Sequence, residues 1–72
     1  MRWYVEIEYR GRPMFSVCRI AGFTEWTTDI VHAWSVSPSH GGIDVARRVA
    51  SYTAGARVVS HYELVDRGIL PD

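Results

Sequence analysis

Residues 2–21 read RWYVEIEYRGRPMFSVCRIA, and the way this stretch folds decides the architecture. Trp3, Val5, Ile7 and Tyr9 alternate with Arg2, Tyr4, Glu6 and Glu8. A sustained period of two marks a half-buried strand, because successive side chains leave opposite faces. The next apolar run, MFSVCRIA, supplies a second strand, and Gly11-Arg12 between them suits a two-residue type II′ turn with Gly at the first central position. That register sets Trp3 against Ile20, Val5 against Cys18, Ile7 against Ser16 and Tyr9 against Met14, all on the more apolar face. The opposite face pairs Tyr4 with Arg19, Glu6 with Val17, and Glu8 with Phe15. Turn chemistry and hydrophobic pattern therefore agree on an antiparallel hairpin.

Outward from the hairpin the signals are more mixed. Gly22 breaks or kinks the second strand, and residues 24–29 read as a loop or short continuation. Residues 30–36, IVHAWSV, admit a third strand or a short helix; β-branched Ile30, Val31 and Val36 and the alternation favour the strand. Residues 43–55, IDVARRVASYTAG, form the one good amphipathic helix. Ile43, Val45, Ala46, Val49, Ala50 and Thr53 fall within an arc of about 160°, opposite Asp44, Arg47, Arg48 and Ser51. Gly55 is a natural residue to follow its C-terminus. Residues 56–65, ARVVSHYELV, alternate again as a fourth strand, and 65–72 form a tail whose Ile69 and Leu70 are available to pack back. The predicted fold is one small α+β domain over residues 1–72, β-β-β-α-β, with a four-stranded, mostly antiparallel sheet and one helix on one face. A helical crossover before the last strand sets it parallel to the first and third.

Composition narrows the function classes. A chain of 72 residues makes one domain with a thin stability margin. One cysteine, Cys18, precludes an intrachain disulfide and a Cys-rich zinc module. Glu6 and Glu8 interrupt any signal-peptide core near the start, and no apolar run is long enough for a membrane span, so the expected compartment is the cytoplasm. Eight acidic and eight basic residues balance, without the basic excess of a dedicated nucleic-acid binder. All the basic residues are Arg, whose planar multidonor head suits interfaces and carboxylates.

Candidate chemistry is sparse. The SPSHGG loop, residues 37–42, precedes the helix but matches no phosphate-binding spacing, and Asp44 in the first turn repels an anion. It reads as the way into the helix, with Gly42 near the N-cap. His32, His40 and His61 lack metal-ligand spacing, so no metal and no cofactor is expected. His61, Glu63 and Arg57 make the best ionisable trio, on one strand face, yet a domain this small leaves little room for a catalytic pocket. No catalytic residue is assigned.

The sheet face away from the helix carries the functional expectation. Tyr4, Phe15 and Val17 lie there, interleaved with Glu6, Glu8 and Arg19, and such a patch marks a protein contact. Arg47 and Arg48, on the helix's outer side, complete the expected partner-binding set. The sequence thus suggests a non-enzymatic protein-binding module. By analogy of type, it resembles small phage or mobile-element accessory proteins that inhibit or modulate a host complex, with homodimerisation through the open face or an edge strand as a variant. The alternatives are a nucleic-acid-binding regulator using Arg47, Arg48 and Arg57 with aromatic stacking, and a minimal enzyme or enzyme subunit using His61.

Overall fold

Strand β1 (Trp3–Tyr9) is the axis of the fold, and three other strands pair with it. The computed structural model describes residues 1–17 and 25–71. β2 (Arg12–Ser16) runs antiparallel to β1, with Tyr9 opposite Arg12, Ile7 opposite Met14 and Glu6 opposite Phe15. The turn is therefore Arg10-Gly11, one residue earlier than Gly11-Arg12, and both residues have positive φ (53° and 78°), as a type I′ turn requires. Pro13 explains the choice. A turn at Gly11-Arg12 would make Pro13 the residue that must donate its N–H back across the loop, and proline has none. In the observed register Arg12 takes that place, and Pro13 sits opposite Glu8 in the pair next to it, which exchanges no backbone hydrogen bonds. The pairing moves by two residues, so every side chain keeps its expected face. The expected partners of Trp3, Tyr4 and Val5 on the second strand lie outside the described residues.

Residues 26–36 do not form one strand. β3 (Trp26–Thr27) pairs antiparallel with β2, and Ile30–His32 make a single 3₁₀ turn whose first residues are held by Asp29 Oδ1 accepting from the Val31 N–H at 3.0 Å. β4 (Ser35–Val36) then lies antiparallel to β1 at Tyr4 and Trp3, on the same edge as β2 and along the stretch that β2 does not reach. β5 (Arg57–Ser60) lies along the other edge of β1, also antiparallel. The expected parallel pairing with β1 is thus corrected, and the cause is one uncounted reversal. Because Trp26–Thr27 is a strand of its own, β4 runs opposite to β1, and the helical crossover from β4 to a parallel β5 leaves both antiparallel to β1.

Helix α1 (Gly42–Ala50) makes that crossover. Gly41, at φ 99°, is the residue that lets the chain enter it, since a Cβ there would run into the Val45 side chain. The helix stops at Ala50, short of the expected residue 55, and the Ser51 hydroxyl donates to the Arg48 carbonyl at 2.6 Å. Ala46, Val49 and Ala50 pack on Val5 and Val36, with Trp3, Trp34 and Val58 around them.

β5 ends at Ser60, short of the expected residue 65, and the chain turns into a second helix, α2 (His61–Asp66). Ser60 caps it, its hydroxyl accepting from the Glu63 N–H at 3.1 Å. α2 and the following turn cover the sheet face away from α1. Tyr4, Phe15, Val59 and Leu64 form a second core there, flanked by Ile30, Ala33, Ile69 and Leu70. The face expected to be open is closed: Tyr4 is 8% exposed, Glu6 4% and Phe15 1%, so none of the three is free to contact a partner. The expected return of Ile69 and Leu70 onto the domain is what closes it. The architecture is α+β, a curled antiparallel sheet with one main helix.

Candidate functional site

Two places on the surface carry more than solvated side chains. The first is an ion network at the edge of the second core. Glu6 projects from β1 under α2, where its Oε2 accepts from Arg67 Nη2 at 2.6 Å and its Oε1 accepts from Arg67 Nη1 at 2.9 Å and Arg57 Nη2 at 3.0 Å. Glu63 Oε2 accepts from Arg57 at 2.8 Å and from Arg67 at 3.3 Å. Burial pushes the Glu6 carboxyl up, but the Arg67 hydrogen bonds and the charges of Arg67 and Arg57 outweigh it and leave the group below its ordinary value. The network borders a cleft of about 330 Å³ that Glu8 and Pro13 also line. Two carboxylates balance two guanidiniums, and both oxygens of Glu6 are engaged, so Glu6 is held as a paired carboxylate. It clamps β1, β5 and α2 together.

The second is a groove on the α1 side of the sheet, past the end of the helix. A helix of nine residues spans about 14 Å, whereas the seven residues of β1 span about 23 Å. The α1 core takes in Trp3 and Val5 but not Ile7 or Tyr9, so among the described residues α1 covers the Trp3–Val5 half of the strand and does not reach the hairpin half. There Ile7, Tyr9, Met14 and Trp26 line a cavity of about 300 Å³ with an almost wholly apolar surface. Cross-strand pairing fixes this cluster, since Ile7 faces Met14, and Ser16, two residues on, faces Trp26. Tyr9 stands at the mouth, 56% exposed, with the Arg10 guanidinium 5.3 Å from its ring centroid.

The residues singled out from sequence are scattered by the fold. Glu8 is exposed at the cleft beside the ion network, and Val17 is half-buried. Arg19 lies outside the described residues. Arg47 and Arg48 are exposed on α1, Arg47 at 4.0 Å from Asp44. The trio of His61, Glu63 and Arg57 is only half assembled, because α2 brings Glu63 to Arg57 while His61 packs its ring edge against Tyr62. In the SPSHGG loop Ser37 Oγ lies 2.8 Å from His40 Nδ1 and Ser39 Oγ 3.2 Å from it, all three residues lying at or near the surface. The arrangement is a local turn leading into α1. Nor do three His, Cys, Asp or Glu side chains gather among the described residues as a metal would need.

Sequence reasoning missed Arg67 and the groove. Ser60-His61-Tyr62-Glu63 is a capping-box pattern, with the apolar pair Leu64-Val65 behind it, and it signals the helix that carries Arg67. The groove follows from the lengths of helix and strand once both are known. No protein-family model, curated protein or solved structure matches this chain.

Proposed function

We propose that the protein is a non-enzymatic protein-binding module that docks its partner in the groove of Ile7, Tyr9, Met14 and Trp26. One observation carries the reading: four large apolar side chains form a concave surface past the end of α1, while the Trp3–Val5 part of the sheet is covered on both faces. Tyr and Trp beside Arg are the usual anchors of protein interfaces, since they remove large area from water at small entropic cost. Nothing comparable favours the nucleic-acid alternative, because Arg47 and Arg48 stand on a solvated helix face in a chain of zero net charge. The protein acts by occupying its partner, as an accessory or inhibitory protein does, and not by turnover.

Site-specific photo-crosslinking tests the assignment. A benzophenone amino acid is placed at Tyr9 in the groove and, for comparison, at Val31, which is 83% exposed and does not line it. The expected result is one discrete adduct from Tyr9, none from Val31, and loss of the Tyr9 adduct on adding Met14→Asp. An adduct from Val31 that survives Met14→Asp places the docking surface elsewhere.

A further inference from the structure

The groove has a charged rim of one sign. Tyr9 pairs with Arg12 across the hairpin, so the Arg12 side chain leaves the sheet on the groove face. Arg10 lies over the Tyr9 ring at the same mouth. The ion pairs among the described residues involve His32, Arg47, Arg57 and Arg67 as cations, never Arg10 or Arg12. Glu8, between Ile7 and Tyr9 in the chain, points to the opposite face and lines the cleft of the ion network. Glu25, next to Trp26, is exposed and does not line the groove. The apolar floor thus has one guanidinium over the Tyr9 ring and a second arginine on the same sheet face beside it, and neither forms an ion pair with a carboxylate of the described residues.

From this charge pattern we infer that the groove's occupant is an acidic segment of another protein, one that inserts a large apolar side chain between flanking Asp or Glu residues. The inference rests on the groove being the docking surface. Guanidiniums bind carboxylates through paired, planar hydrogen bonds, and an apolar floor lowers the local dielectric around them. A second copy of this chain fits poorly: its own groove has no carboxylate in its lining, so pairing groove with groove supplies nothing to answer Arg10 and Arg12. A nucleic acid needs a run of phosphate contacts, and two arginines over an apolar floor do not supply one.

The test uses the whole chain and a labelled hexapeptide, acetyl-Asp-Glu-Trp-Phe-Glu-Asp-amide, followed by amide and indole resonances in a two-dimensional nitrogen–proton NMR spectrum. Two control peptides replace all four acids by Lys or both aromatics by Ala. The acidic aromatic peptide is expected to shift resonances of Tyr9, Arg12, Met14 and the Trp26 indole, and to bind about tenfold more tightly than either control, as complementary charge and burial together give. Arg10→Glu with Arg12→Glu should reverse the acid–base preference; Arg12→Glu alone, which leaves one charge of each sign and does not touch the turn, should shrink it. Equal binding of the acidic and basic peptides at the groove overturns the inference and leaves the groove as docking surface. Failure of all three peptides to move these resonances, together with loss of the Tyr9 crosslink, overturns both. Concentration-dependent shifts at the groove without peptide assign it to a second copy, and a DNA duplex that moves the same resonances with steep salt dependence assigns it to nucleic acid; either result overturns the inference.

Discussion

Glu6 shows how one residue's meaning depends on what comes to lie over it. In the sequence it is the polar half of an alternating strand and reads as a surface carboxylate. In the folded chain it is 4% exposed and holds three guanidinium N–H donors. A buried carboxylate is tolerable only when its charge is answered, and Arg67 answers it with two parallel hydrogen bonds. Since the folded state holds the Glu6 carboxyl below its ordinary value of 4.5, the unfolded chain binds its proton more readily. The contribution of Glu6 is therefore present in full above pH 4.5 and is lost as the pH falls through the lower, folded-state value. Glu6→Gln should cost about 2 kcal/mol at pH 7, the scale of hydrogen bonds to a charged group. It should also flatten the fall of stability below pH 4.5 relative to the parent chain. Urea unfolding at a series of pH values checks both, and parallel curves for the two proteins would remove Glu6 from the account.

At the scale of elements, the hairpin and α1 were legible because each is specified locally. Alternation fixed the faces of β1 and β2, and the periodic apolar stripe fixed the buried side of α1. The register was not fixed by Gly11 alone, since the missing N–H of Pro13 outweighed the preference of glycine for the first turn position. The 30–36 segment and the last strand were misread for one reason: short apolar runs alternate whether they form strands or the buried side of a single turn. In ARVVSHYELV the decisive residue is Ser60, whose hydroxyl gives the chain a helix start just where alternation would carry the strand on. That helix also closes the face on which Tyr4 and Phe15 were expected to meet a partner, since both are buried under it with Val59 and Leu64. Ser60→Ala should accordingly cost about 1 kcal/mol, the usual value of an N-cap. Amide hydrogen exchange should show the loss first at Glu63 and its neighbours in α2. If exchange there is unchanged, the cap does not hold the helix.

The whole molecule is a single sheet between two small cores, and β1 belongs to both. Val5 points into the α1 core and Tyr4 into the α2 core, so neither face can open without disturbing the strand between them. A domain of this size has little stability to divide, and it should unfold as one unit. The distribution of tryptophan makes this measurable. The chain has 3 tryptophans, and Trp3, Trp26 and Trp34 all pack with the α1 core, none with the α2 core. Tryptophan fluorescence therefore reports on one face alone, while far-ultraviolet circular dichroism reports on the whole backbone. Leu64 is fully buried on the other face. Truncating it removes packing and leaves a cavity, so Leu64→Ala should cost about 3 kcal/mol. If the two cores form one cooperative unit, the fluorescence melt moves by the same amount as the dichroism melt, although no tryptophan touches the altered site. A dichroism change that precedes an unmoved fluorescence transition would mean that α2 and its core melt alone, leaving the hairpin and α1 as the stable unit that carries the groove.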